Sequence, residues 1–164
     1  MRTLKLTLAY DGTAYAGWQV QPGEKTVQEV LETAIEKVTG ERVRPLASGR
    51  TDAGVHALGQ VVGFRSRSTL PADVLRRALN AELPRDVAVL EVVEAHEAFH
   101  PIRDALRKRY RYVIHDGPVR DVFRLRYSWK FKTRLDDTAM ARAARALLGK
   151  HDFSSFETSG AERK

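Results

Sequence analysis

Apolar and polar residues alternate at the start of the chain. Every second residue from Leu4 to Tyr10 is leucine or tyrosine, and the residues between them are lysine, threonine and alanine. A period of two residues is typical of a strand with one buried face, so the pattern predicts a half-buried strand. The next stretch, Asp11–Gln19, contains two glycines and predicts a loop.

The sequence predicts an amphipathic helix between Thr26 and Gly40, where the apolar period lengthens to three or four residues. Thr26 and Glu29 form a capping-box pattern at its start, and Gly40 suits the position that ends a helix. The face that we expect to be buried consists of Val27, Val30, Leu31, Ala34, Ile35 and Val38.

Further elements are predicted up to residue 94. A short strand near Val43–Leu46 precedes a strand at Gln60–Phe64, then a helix with Pro71 in its first turn, then a buried strand at Asp86–Glu94. The order strand, helix, strand, strand, helix, strand is typical of a ferredoxin-like α+β sandwich. We therefore predict a domain over residues 1–105 with helices on one face of a mainly antiparallel sheet.

A second α+β domain is predicted over residues 106–164. Its first strand is Arg109–His115, with Tyr110 and Tyr112 on one face. The most regular alternation in the chain follows at Phe123–Lys132, and it predicts a strand with an aromatic core face and a cationic outer face.

A helix is predicted at residues 136–148, ended by Gly149. The polar ending from Ser159 to Lys164 offers no element that would close a sheet. We therefore expect the second domain to be truncated in this chain.

The basic residues are concentrated in one region. The chain has 28 lysines and arginines against 21 acidic residues, a net charge of +7. Between Pro101 and Arg134 there are eleven basic and three acidic residues, which leaves 17 basic and 18 acidic residues elsewhere. This distribution is typical either of a surface that faces a polyanion or of a well-solvated surface.

Composition excludes some functional classes. There is no cysteine, which excludes disulfides and thiolate metal sites and fits a reducing compartment. No apolar run approaches the length that spans a membrane, and the first residues lack the pattern of a targeting signal. We expect a soluble cytoplasmic protein that does not associate with membranes.

One short motif suggests a zinc protease. The stretch His96–His100 reads HEAFH, and the H-E-x-x-H pattern binds zinc when a helix places both histidines on one face. Here it follows a predicted strand and runs into Pro101, which disfavours helical geometry before it. We interpret these histidines as surface or hinge residues.

The stretch Ser48–Gln60, SGRTDAGVHALGQ, contains a single acidic residue, Asp52, with Arg50 two residues before it. An isolated R-x-D of this kind is most often a surface turn in which the arginine pairs with the aspartate. The other interpretation is chemical, because a guanidinium lowers the pKa of a neighbouring carboxyl and an ionised aspartate shielded from water is a nucleophile. The residues alone leave both interpretations open.

The stretch resembles the signature of the tRNA pseudouridine synthase A family, which acts on tRNA without a guide. Other fragments resemble that family in the same order and at similar spacing, and together they cover essentially the whole chain. They are YDGTAYAGWQ (10–19), TVQEVLE (26–32), LNAELPRDVAV (79–89), FH (99–100), KRYRYV (108–113) and LLGKHDFSSF (147–156).

The resemblance implies roles for three residues. Asp52 would be the catalytic residue, and Arg50 would help to move the target uridine out of the stack and pair with Asp52. Tyr110 would stack on the flipped uracil, although a tyrosine on a strand is otherwise more often a core residue. Whether the aspartate attacks C1′, adds to the ring or removes a sugar proton stays open.

The resemblance also implies a substrate and an assembly. The expected substrate is the anticodon stem-loop of tRNA, the reaction needs no cofactor or metal, and a homodimer is expected. Family members continue past this point, so this chain would be an N-terminal portion that lacks later strands and part of the site. The alternative is a non-catalytic RNA-binding module of ferredoxin-like fold.

Overall fold

The computed structural model describes residues 1–156. The polar ending from Ser159, for which we predicted no closing element, lies outside the described residues. The chain divides into two compact units, Met1–Arg109 and a second unit that begins at Tyr110.

The first unit is an antiparallel sheet with two helices. Its elements are β1 (Arg2–Tyr10), a 3-10 helix (Gly12–Ala14), α1 (Val27–Thr39), β2 (Leu46–Ala47), β3 (Ala57–Ser66), α2 (Ala72–Glu82) and β4 (Val87–Ala95). The strand order is β2-β3-β1-β4, and every neighbouring pair is antiparallel. This is the order of a ferredoxin-like sheet, so the predicted α+β class with a mainly antiparallel sheet is confirmed.

Both predicted ends of α1 are confirmed. The Thr26 hydroxyl accepts a hydrogen bond from the Glu29 amide (3.3 Å), which satisfies one of the free N–H groups at a helix start. Gly40 ends the helix in the left-handed region, at φ 72°, where glycine avoids the steric penalty of a side chain. No helix within residues 1–156 is long and apolar enough to cross a membrane.

The core of the first unit lies between the sheet and the two helices. Leu4, Leu6 and Leu8 of β1 are fully buried, and α1 and α2 cover them with residues that include Leu31, Ile35, Leu75 and Leu79. The pairing of β1 with β4 shifts register between Thr7 and Leu8. A bulge of this kind changes which side chains face the core, and it explains why Val89 and Val92, three residues apart, are both buried.

The second unit has little regular structure. It contains β5 (Ile114–His115) and β6 (Trp129–Lys130), which pair in parallel, and α3 (Asp137–Ala144) followed by a 3-10 turn. The predicted helix is thus present but shorter. None of residues 110–156 is buried.

Two strand predictions for this unit are wrong in extent. The predicted strand Arg109–His115 is strand only at its last two residues, and the predicted strand Phe123–Lys132 is strand only at Trp129 and Lys130. A strand requires a neighbour with which its backbone groups pair, and within the described residues the alternating stretch pairs with β5 at two positions only.

Candidate active site

The residues Ser48–His56, here called the Asp52 loop, connect β2 to β3 at one end of the sheet. The loop is closed at its base by the Ser48 amide, which donates to the Val61 carbonyl (2.8 Å). The side-chain amide of Gln60 donates to the carbonyl of Gly49. The loop therefore leaves the sheet and returns to it at fixed points.

The tip of the loop is a β-turn over Asp52–Val55. The Val55 amide donates to the Asp52 carbonyl (3.2 Å), and Gly54 occupies the third position with φ 77°. A positive φ at this position is typical of a turn that requires glycine. Backbone atoms alone close this turn.

The carboxylate of Asp52 takes no part in the turn. Within residues 1–156 no hydrogen bond or ion pair joins it to the protein, and the residue is exposed. Other aspartates of the chain do accept local backbone N–H groups through their side chains, namely Asp11 (from Thr13), Asp121 (from Phe123), Asp136 (from Ala139) and Asp152 (from Ser154). A turn-closing aspartate uses its side chain in this way, so Asp52 does not have that role.

Two cationic side chains lie at the loop, Arg50 within it and Lys108 beside it. Arg50 is exposed, and among the ion pairs of residues 1–156 none joins it to Asp52. Its pairing with Asp52 stays a prediction. Lys108 lies against the loop, because a Cβ atom on Gly49 would be 3.2 Å from its Nζ. Sequence reasoning counted Lys108 among the basic residues but did not connect it to this loop.

A second segment, Asp11–Trp18, packs against the Asp52 loop backbone to backbone, and we call it the bracing segment. The Trp18 amide donates to the Thr51 carbonyl (2.9 Å), and the Gly54 amide donates to the Tyr15 carbonyl (3.2 Å). These two hydrogen bonds flank Asp52 on both sides. The sequence predicts a glycine-containing loop at this segment, but not this contact.

Side chains of the Asp52 loop make further contacts with the bracing segment and with Tyr10, which precedes it. The Tyr10 hydroxyl lies 2.8 Å from the Thr51 hydroxyl. The Gly12 amide donates to Nδ1 of His56 (3.1 Å), and the same nitrogen lies 3.1 Å from Asp11 Oδ1. Burial raises the pKa of Tyr10, and the hydrogen bond to Thr51 offsets part of that rise. Tyr10 therefore remains a protonated, neutral group beside the loop.

Tyr110, the third predicted site residue, is the first residue of the second unit. It lies in irregular backbone, and its side chain is 70% exposed. The interpretation of Tyr110 as a core aromatic on a strand is therefore wrong. Its role in stacking on uracil stays a prediction.

The HEAFH segment forms turns after β4 and is not helical. Nδ1 of His96 accepts the Ala98 amide (3.2 Å), and Nδ1 of His100 accepts the Ile102 amide (3.3 Å). Both imidazoles therefore serve the local turns. The helical arrangement that a zinc protease requires is not formed.

Comparison with known proteins identifies the family. Residues 7–102 match the sequence profile of the tRNA pseudouridine synthase family. The chain is 52% identical over 162 residues to tRNA pseudouridine synthase A of Moorella thermoacetica, an alignment that covers 98% of this chain and 66% of that protein.

The same name is carried by two other relatives. The chain is 49% identical to the protein of Pelobacter propionicus, with 100% of this chain and 67% of that protein covered. It is 48% identical to the protein of Brevibacillus brevis, with 95% and 64% covered. The chain thus spans about two thirds of the length of these curated relatives. From the profile match and these identities, the chain belongs to the tRNA pseudouridine synthase family.

Proposed function

We propose that this chain carries the catalytic aspartate of an enzyme that isomerises uridine to pseudouridine in tRNA, and that Asp52 is this residue. The observation that carries the proposal is the state of the Asp52 carboxylate. It is exposed and unbonded within residues 1–156, while the backbone on either side of it is hydrogen-bonded to the bracing segment. A fixed backbone with a free carboxylate suits a group that must meet a substrate.

The proposed reaction is balanced without a co-reactant. The N1–C1′ bond of the uridine breaks, the uracil turns while it stays bound, and a C5–C1′ bond forms. The C5 proton leaves and N1 gains a proton, so nothing is oxidised or hydrolysed and no cofactor or metal is required. The carboxylate of Asp52 supplies either a nucleophile or a base for these steps.

We propose that Arg50 and Tyr110 handle the substrate base. A uridine inside a stem must leave the stack before the reaction, at an expense of a few kcal/mol. Arg50 is two residues from Asp52 and exposed. Its guanidinium can therefore offset the contacts that are lost when the uridine leaves the stack. Tyr110 has an exposed ring, which suits stacking on uracil.

The proposed substrate region is the anticodon stem-loop of tRNA. A-form RNA is bound mainly through its shape and its phosphates, and the region Pro101–Arg134 has eleven basic residues against three acidic ones. These residues supply the charge that phosphate contacts require. Lys108, which lies beside Gly49, would extend this charge to the Asp52 loop.

We also propose that the protein acts in the cytoplasm, where it would meet tRNA, and that it works as a homodimer. Both proposals rest on the family resemblance. Sedimentation velocity of the full-length gene product, with and without tRNA, measures the second one. A single species of monomer mass at micromolar concentration would overturn the dimer.

The deciding experiment replaces Asp52 with asparagine in the full-length gene product. The amide is close to the carboxylate in size, but it is neither a nucleophile nor a base. We expect conversion of uridine in a tRNA transcript to fall by at least about 10³-fold under single-turnover conditions. We expect the tRNA dissociation constant to stay within about threefold of wild type, since the turn does not use the carboxylate.

The matched control is Asp136→Asn. Asp136 caps α3 through its side chain, which accepts the Ala139 amide (2.8 Å), and asparagine caps helices about equally well. This variant should convert uridine at the wild-type rate. Near-normal conversion by Asp52→Asn would overturn the catalytic role. A wild-type protein that binds tRNA without converting it would favour the non-catalytic RNA-binding module.

A further inference from the structure

We propose that the bracing segment positions Asp52, with Gly12 and Gly17 as positioning residues that no larger residue can replace. The inference deepens the proposed function and rests on it, because it assumes that the Asp52 carboxylate must be held in one place to react. The atoms nearest to a Cβ built on either glycine are backbone atoms of the Asp52 loop. Each glycine acts through the backbone of the Asp52 loop.

The two glycines lie where the two backbones are closest. A Cβ atom on Gly17 would lie 2.5 Å from the Thr51 carbonyl oxygen and 3.1 Å from the Asp52 carbonyl carbon. A Cβ atom on Gly12 would lie 2.1 Å from the Val55 carbonyl oxygen. All three neighbours are backbone atoms, so they yield only if the whole loop moves.

Gly17 has a second requirement. Its φ is 98°, in the left-handed half of conformational space, where a side chain is strained. Gly12 has no positive φ, so an alanine there would meet the loop without backbone strain. The two positions therefore separate the effect of contact from the effect of strain.

The bracing segment is itself firmly held. The first amides of α1, those of Val27 and Gln28, donate to the carbonyls of Gly17 (3.2 Å) and Trp18 (3.0 Å). These helix-end N–H groups would otherwise lack a partner. The aromatic rings of Tyr15 and Trp18 are buried in the core. The segment is thus tied to α1 and to the core.

Asp86, which precedes β4, also forms hydrogen bonds with the bracing segment. Its carbonyl accepts the Asp11 amide (2.9 Å), and its carboxylate accepts the Tyr15 hydroxyl (2.6 Å). Burial raises the pKa of Tyr15, and the neighbouring carboxylate of Asp86 raises it further. Tyr15 therefore keeps its proton and the hydrogen bond persists through the neutral range.

The carboxylate of Asp52 has no protein partner of its own within residues 1–156. Its location is therefore set by its backbone, and the backbone is set by the bracing segment. A displacement of about 1 Å in a reacting group reduces a rate by about 10²-fold. A Cβ atom on Gly17 or Gly12 would lie 2.5 or 2.1 Å from a carbonyl oxygen of the loop, and an ordinary contact distance of 3.4 Å would require the loop to move by about 1 Å.

The experiment compares alanine variants in the full-length gene product. Gly17→Ala and Gly12→Ala should each lower the single-turnover rate on a tRNA transcript by about 10²-fold. The tRNA dissociation constant should stay within about threefold, because the loop is displaced and no phosphate contact is removed. The matched control is Gly23→Ala, since Gly23 has φ 77° but a Cβ atom added there would meet nothing within 4 Å. It should keep the wild-type rate.

Two further measurements guard against a variant that folds poorly. Tyr15→Phe removes only the hydrogen bond to Asp86. It should lower the single-turnover rate by a smaller factor than Gly17→Ala does. Amide hydrogen exchange at Trp18 and Gly54 should accelerate in Gly17→Ala, while exchange at Ser48, at the base of the loop, stays as in wild type. The exchange measurement does not depend on activity.

The outcomes separate the inference from the proposed function. A wild-type rate in Gly17→Ala, or equal rate losses in Gly17→Ala and Gly23→Ala, would overturn the inference while the function stands. A wild-type protein without conversion would overturn the function. In that case unchanged exchange at Trp18 and Gly54 in Gly17→Ala would still reject the bracing role, and accelerated exchange would support it.

Discussion

In the first unit, Leu4, Leu6 and Leu8 of β1 are fully buried, whereas in the second unit Phe123 is 91% and Leu125 is 55% exposed. Both sets come from alternating stretches, and the stretch in the second unit is the more regular one. In the first unit the stretch pairs with β3 and β4 and is covered by helices. Alternation thus reports which face of a strand is apolar, and burial depends on the elements that pack against that face.

The contrast between the two units should be largest in the free energy of unfolding. Leu6→Ala should lower the free energy of unfolding by about 2–5 kcal/mol, because it empties a fully buried site. Leu125→Ala makes the same chemical change at an exposed position and should alter it by about 0.5 kcal/mol or less. Urea unfolding followed by circular dichroism measures both. Equal losses would mean that Leu125 is buried in solution.

The predictions made from the sequence succeed in the first unit and largely fail in the second. Leu4–Tyr10, the capped helix from Thr26 to Gly40 and the strand at Asp86–Glu94 are confirmed, because their signals are local and each has a packing partner. The strand at Gln60–Phe64 is present and extends over Ala57–Ser66. Within residues 1–156 the strands predicted at Arg109–His115 and Phe123–Lys132 are each strand at two residues only, since pairing cannot be inferred from one stretch alone.

Sequence patterns also predict little of the geometry of the candidate site. The family resemblance indicates a catalytic role for Asp52, whereas periodicity and composition do not distinguish it from a turn residue. The exposed carboxylate and the backbone-closed turn are features of three-dimensional geometry. The approach of Gly17 to Thr51 joins segments 34 residues apart, and no local pattern signals such a contact. In the sequence Gly12 and Gly17 indicate only a loop.

Cations of the two units should differ in their effect on RNA binding. If phosphate contacts lie in the basic region, Lys132→Ala should flatten the plot of log affinity for tRNA against log salt concentration by slightly less than about one unit. Lys37→Ala removes the same charge from the first unit, where Lys37 pairs with Glu82 (3.2 Å), and should leave the slope unchanged. Titrations at several salt concentrations measure both slopes. If Lys37→Ala alone flattened this plot, the phosphate contacts would lie in the first unit and not in the basic region.

The smallest predicted effect concerns two carboxylates, one in each unit. The Ser66 hydroxyl donates to Glu41 (2.6 Å), and the Arg67 amide donates to its other oxygen (2.7 Å). Ser66 holds the pKa of Glu41 below its usual value of 4.5, and the Arg67 amide adds to this effect. In the second unit the Leu135 amide and then Arg134 lower the pKa of Asp116 from 3.8.

The sign of the pH effect follows from the lowered pKa. Between the lowered and the usual pKa the unfolded chain binds more protons than the folded one, so stability contributed by Glu41 is complete above about pH 4.5 and is lost as the pH falls through the folded-state pKa. The free energy of unfolding should therefore differ between wild type and Glu41→Gln at pH 7, and this difference should shrink at pH 3. Asp116→Asn should change unfolding less at either pH, because its unit has no buried residue between 110 and 156. A pH-independent difference for Glu41→Gln would mean that the ionised Glu41 carboxylate does not stabilise the fold. A larger effect at Asp116 would mean that the second unit is held as firmly as the sheet of the first.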